Sequence, residues 1–154
     1  MLQYHNDIDY EILNLLNDED LYNTCYINKR NFKLCNQDQV LRNRLVNYRH
    51  ALNIIQQYMD SASKNPSYIV IYFDNHLSNS EIKKIVRSNH GYINDHDISH
   101  RYVAYEINLY SVNYIYNSIK NIVHDLGYSF NPKNIIAREI LFNKIRLEYN
   151  VNYG

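Results

Sequence analysis

The spacing of apolar residues between positions 10 and 45 constrains this chain most. They fall at Ile12, Leu13, Leu16, Leu21, Cys25, Phe32, Leu34, Cys35, Leu41 and Leu45, with polar breaks at 17–20 and 36–38. Steps of three and four residues gather side chains on one side of a helix, so the stretch predicts three short helices sharing an apolar face. Leu45, Tyr48, Leu52, Ile55 and Met59 keep the same rhythm and carry the last helix on to about Ala62. The run Ser61-Ala62-Ser63-Lys64-Asn65-Pro66 breaks it. Pro66 and its small polar neighbours mark the boundary between a helical module, residues 1–62, and a small α+β domain, residues 67–154.

Beyond Pro66 the period changes. Ser67–Phe73 is continuously apolar and rich in β-branched and aromatic residues, which predicts a strand covered on at least one face. Asp74, Asn75 and Ser78 follow as turn and capping residues. Ser80 with Lys83 lacks the carboxylate of a capping box, although Glu81 suits the first turn of a helix. Ile82, Ile85 and Val86 give that helix an apolar stripe, and Asn89-His90-Gly91 ends it. Arg101–Leu109 alternates as a second strand, with Val103, Tyr105, Ile107 and Leu109 on one face. Ser111 caps a helix that runs to Asp125, stopped by Gly127. Short strands near Tyr92 and at Tyr128–Phe130 are compatible with the pattern. Asn131-Pro132 opens a last helix, with Ile135, Ile136, Ile140, Leu141, Ile145 and Leu147 inward. The fold class is α+β: a helical N-terminal module, a ferredoxin-like (split βαβ) domain and a C-terminal helix.

Asp20, Leu21, Asn23, Cys25, Asn28, Lys29, Phe32, Cys35, Asp38, Arg44 and Leu45 stand at the intervals expected of a known family's motif. The stretch from about 8 to 46 resembles an F-box of the type common in large DNA viruses. It departs from that pattern at Asp9 and Tyr10, where the family opens with Leu-Pro, and at Leu41, where it often has Trp. The resemblance implies a docking adaptor. Leu13, Leu16, Leu21, Leu34 and Leu41 would bind a Skp-family adaptor of a ubiquitin ligase, while the C-terminal domain would take up a target protein. The same leucines would serve equally as the core of a three-helix cap.

A second resemblance lies in the α+β domain. Ile71-Tyr72-Phe73-Asp74-Asn75-His76-Leu77 is similar to the first-strand motif of an RNA-recognition motif, with His76 as an extra residue. Arg101–Ile107 stands where that family's third-strand motif belongs, but its Gly is missing and Ala104 replaces one aromatic. Tyr72 and Tyr102 remain as platforms on which bases of an RNA strand would stack. Lys29, Arg30 and Lys33, joined by Arg42, Arg44 and Arg49, could face phosphates. The commoner reading of such a run is the solvated side of helices.

Sixteen basic and sixteen acidic residues cancel, so no global attraction to nucleic acid or membrane is expected. Abundant Asn and Ile with 17 Tyr, 3 Gly and no Trp point to an AT-rich genome, which fits a viral source and equally a low-GC bacterium or protist. The tyrosines also suit a third class, a self-assembling or virion-associated structural protein. Cys25 and Cys35 read as reduced, buried small hydrophobes. Neither a leader nor a membrane-length apolar run is visible, which suggests the cytoplasm, that of the host if the protein is viral. His90, Asp95, His96, Asp97 and His100 crowd one segment, but Tyr92, Ile93, Ile98 and Ser99 make it a loop or a hairpin arm, so no metal is expected. Glycine shortage argues against a nucleotide cradle, and no nucleophile-base motif is present. Neither catalysis nor a cofactor is expected.

Overall fold

The computed structural model describes residues 10–61, 67–73, 77–88, 96–98, 101–142 and 144–151. Packing divides the chain into two compact units, residues 1–50 and 51–154. In the first, helical residues 10–15 (α1) are followed by α2 (Asp18–Cys25), α3 (Lys29–Gln37) and the opening of α4 (Gln39–Ser61). Each polar break in the apolar pattern supplies a helix cap. The side chains of Asn17 and Asn28 accept from the backbone N–H of Asp20 and Asn31, and Asp38 Oδ1 accepts from Leu41 N at 3.0 Å. Asp18, Glu19 and Asp20 also place negative charge in the first turn of α2, where the helix dipole favours it.

Leu13, Leu21, Cys25, Leu34, Cys35, Leu41 and Leu45 form one buried cluster, with Tyr10, Leu16 and Tyr22 packed against it. One expectation is corrected here: Cys25 and Cys35 are joined in a disulfide that ties α2 to α3, with Cα atoms 6.0 Å apart. Arg44 clasps the helix ends, donating to Leu16 O at 2.6 Å and to Asp18 Oδ1 at 3.0 Å. α4 runs unbroken through the division at His50 and Ala51, whereas the sequence places a boundary at its end.

The second unit holds β1 (Ser67–Phe73), α5 (Asn79–Ser88), β2 (His96–Ile98), β3 (Tyr102–Ile107), α6 (Val112–Asp125), a 3-10 turn at Pro132–Asn134, β4 (Ile135–Leu141) and β5 (Lys144–Val151). The mixed helix and strand content is that of an α+β protein. The sheet order is β2-β3-β1-β5-β4, antiparallel throughout except that β5 runs parallel to β1. A ferredoxin-like unit has four strands in β-α-β-β-α-β order. Here a fifth, β5, turns back from β4 and inserts beside β1, so the plain split βαβ arrangement is not formed.

That hairpin overturns the expected C-terminal helix. Four of the eleven residues 135–145 are isoleucine, a β-branched residue that favours strands. Ile145, Leu147, Tyr149 and Val151 alternate with Arg146, Glu148 and Asn150, a period of two rather than 3.6. Phe142, at φ 49°, lies in the tip between the strands. Tyr128–Phe130 is likewise not a strand. The Phe130 ring instead stacks 5.7 Å from Tyr149 and meets Tyr116 edge-on at 5.4 Å, while Tyr128 lies 6.0 Å from Phe73.

The other elements expected within the described residues of this unit form, with refinements. Strands form where the sequence places them at Ser67–Phe73 and within 101–109. Ser111 caps α6, accepting from Tyr114 N at 3.0 Å. The capping box of α5 uses Ser78, not Ser80: Glu81 N donates to Ser78 Oγ at 3.2 Å, and Ser78 N donates to Glu81 Oε1 at 3.4 Å. The strand expected near Tyr92 lies outside the described residues; the strand preceding β3 is His96–Ile98.

Alternation assigns the two faces of the sheet. Ile69, Ile71, Phe73, Val103, Tyr105, Ile107, Leu147, Tyr149 and Val151 share one face and are buried. Tyr68, Val70, Tyr72, Tyr102, Ala104, Glu106, Arg146, Glu148 and Asn150 share the other.

Candidate functional site

Four of the five leucines expected to dock a partner are core. Leu13, Leu21, Leu34 and Leu41 are buried within the first unit, and Leu16 is partly buried against them. The cluster closes on residues of its own unit.

The same unit also exposes large apolar side chains. On α1, Leu13 and Leu16 turn inward, while Ile12 and Leu15, also three residues apart, face solvent, Leu15 at 86 % exposure. Between α2 and α3, Ile27 is 72 % exposed. Beside it Tyr26 meets Tyr22 at 4.7 Å and Phe32 at 5.4 Å, ring centroid to centroid. Arg49 lies 5.9 Å from the Tyr26 centroid and donates to its hydroxyl at 3.2 Å. Ile12, Leu15, Ile27 and Phe32 exceed what that core needs. For Ile12 and Leu15 the signal in the sequence was an apolar residue beside each inward leucine, Leu13 and Leu16.

The basic residues divide by role. Lys29, Arg30 and Lys33 are exposed on α3. Arg42 pairs with Gln39, Arg44 with Asp18 and the end of α1, and Arg49 with Tyr26, so these three serve local structure.

In the second unit the sheet brings Tyr72 and Tyr102 together. They are directly opposed in the β1–β3 register, and their rings are 5.6 Å apart, tilted by 50°. Both are partly exposed. Arg146, which sequence reasoning did not single out, donates from Nη2 to Tyr72 OH at 2.9 Å. It also holds Glu148, as does Arg138, at 2.7 and 3.1 Å. These arginines were missed because residues 135–147 read as helix; in the hairpin they reach the face that carries Tyr72. Tyr105 and Tyr149 point to the opposite, buried face. Burial pushes both phenols up, an effect that an N–H from Asn131 opposes at Tyr149.

Of the histidine-rich segment, His96 and Asp97 lie in β2, and His90, Asp95 and His100 fall outside the described residues. Among the described residues no cluster of three or more His, Cys, Asp or Glu could hold a metal ion, and no helix is long and apolar enough to cross a membrane. Compared with family models, curated proteins and solved structures, the chain matches none.

Proposed function

We propose that this protein is a non-enzymatic docking adaptor, whose helical unit engages a Skp-family adaptor of a ubiquitin ligase and whose α+β unit takes up a target. The carrying observation is that the first unit closes its own core yet still presents Ile12 and Leu15 on α1 and Ile27 beyond α2. Surplus large apolar side chains on a small closed unit suit an interface, where a few buried anchors supply most of the affinity. Docking on this reading falls to the outward residues, and Leu13, Leu21, Leu34 and Leu41 hold the shape that presents them. The motif at Asp20–Asp38 supports the choice of partner.

Leu15→Asp with Ile12→Asp is the clean test, because neither residue belongs to the core. Binding of purified Skp-family adaptor, measured by calorimetry, should fall at least about tenfold in the double variant, the loss of one or two anchors. Leu21→Asp, by contrast, buries a charge and unfolds the unit. No binding by the wild-type chain, or undiminished binding by the outward double variant, sinks the reading.

A second reading is favoured by the Tyr72–Tyr102 pair: single-stranded RNA stacking on the partly exposed sheet face. Tyr102→Leu should then weaken binding of an oligouridylate at least about fivefold.

A further inference from the structure

Glu148 is the single charged side chain among the described residues that is almost fully removed from solvent, at 1 % exposure. An ionised carboxylate is tolerated there only if donors take its oxygens. Both are taken: Arg138 Nε donates to Oε1 at 3.1 Å and Arg146 Nε to Oε2 at 2.8 Å. The β1–β5 register sets Val70 beside Glu148 and Tyr72 beside Asn150. Arg146 and Tyr72 therefore lean toward each other along the strands, past Val70 and Glu148, both of which are buried.

The cluster carries two positive charges against one negative, a local excess that the neutral composition conceals. Its two cations differ. Arg146 is spent on Glu148 and Tyr72 and is 33 % exposed. Arg138, 60 % exposed, commits its Nε to Glu148 and keeps its terminal nitrogens for another acceptor. A guanidinium oriented by a buried carboxylate is pre-organised, so less side-chain entropy is lost when it meets an anion. The buried Glu148 makes this a built site rather than a scatter of surface cations.

We infer that Arg138, held by Glu148 and Arg146, is the phosphate subsite of a surface that binds single-stranded nucleic acid, the bases lying on Tyr72 and Tyr102. The inference rests on the second reading above and extends it across β5 to β4. A chemistry that offers a ring and a phosphodiester together suits the pairing of aromatic faces with a fixed guanidinium. RNA and DNA single strands share it.

Full-length protein titrated with labelled oligouridylate and oligothymidylate, at a series of salt concentrations, tests this. A single phosphate neutralised at Arg138 contributes about −0.7 to the slope of log affinity against log salt for a single strand. Arg138→Gln, at an exposed position, should weaken binding and make that slope shallower by about 0.7. Arg138→Lys should restore the slope. An effect of equal size on both oligomers marks the shared backbone, whereas loss confined to RNA assigns the contact to the ribose 2′-hydroxyl and overturns the phosphate subsite. If Tyr102→Leu weakens binding while Arg138→Gln changes neither affinity nor slope, the subsite is wrong and the stacking reading stands. If the wild-type chain binds neither oligomer at low salt, both fall. Circular dichroism confirms that each variant is folded.

Discussion

At the scale of single residues, burial decides chemistry that the sequence leaves open. Tyr48, 2 % exposed on α4, has its phenol pushed up to about 12, first by burial and then by the charges of Glu19, Asp18 and Tyr22. The unfolded chain ionises near 10. Below that value both states are protonated and the stabilisation is fully present. As pH rises toward about 12 the unfolded state gives up its proton first and stability is lost. Urea unfolding should therefore show a falling midpoint from about pH 10 to about pH 12, and Tyr48→Phe should reduce the loss of stability over that range by about 2 kcal/mol. An unchanged pH dependence in the variant would mean that Tyr48 is not held neutral. Tyr105 and Tyr149, also raised by burial, keep part of the effect in the variant. The cysteines carry the same lesson. Both lay legibly on apolar faces, but their pairing depended on how α2 and α3 bring Cys25 and Cys35 together, which spacing does not specify.

At the scale of elements, caps and stops were the most readable marks. Gly127 ends α6 at φ 88°, and Tyr128 N and Gly127 N donate back to Val123 O and His124 O at 3.1 and 2.9 Å. A Cβ there would meet nothing within 4 Å, so the only penalty of Gly127→Ala is the left-handed backbone, about 1 kcal/mol. A urea midpoint that drops accordingly, with an unaltered fold by circular dichroism, is the expected result; no drop would mean that the turn relaxes at no cost. Strands β1 and β3 were readable from their β-branched runs and alternation. The hairpin β4–β5 was not, because Ile135, Ile136, Ile140 and Leu141 fit a helical stripe about as well as a strand, and pairing beside β1 resolved the ambiguity. With the hairpin went the candidate site, since Arg138, Arg146 and Glu148 meet only when 135–151 is a folded-back pair of strands.

For the whole molecule, a division within a continuous helix sets the expected cooperativity. Leu41 is fully buried in the helical unit, and Leu41→Ala should cost about 2–5 kcal/mol through lost burial and a cavity. In hydrogen exchange, amides of α2 and α3 should lose protection while those of β1 and β3 keep theirs, reflecting the separate packing of the two units. Loss across both would show that α4 couples them into one cooperative structure. The sequence by itself determined the α+β class, the run of helices between 10 and 61, the capped helix α6 and the strands β1 and β3. Each of these follows from local periodicity and from capping groups that lie within a few residues of what they cap. Only the tertiary structure decided which leucines turn inward, that Cys25 meets Cys35, and that the chain after Pro132 becomes strands. Those outcomes rest on contacts between residues distant in sequence, where packing and hydrogen-bond pairing override local preference.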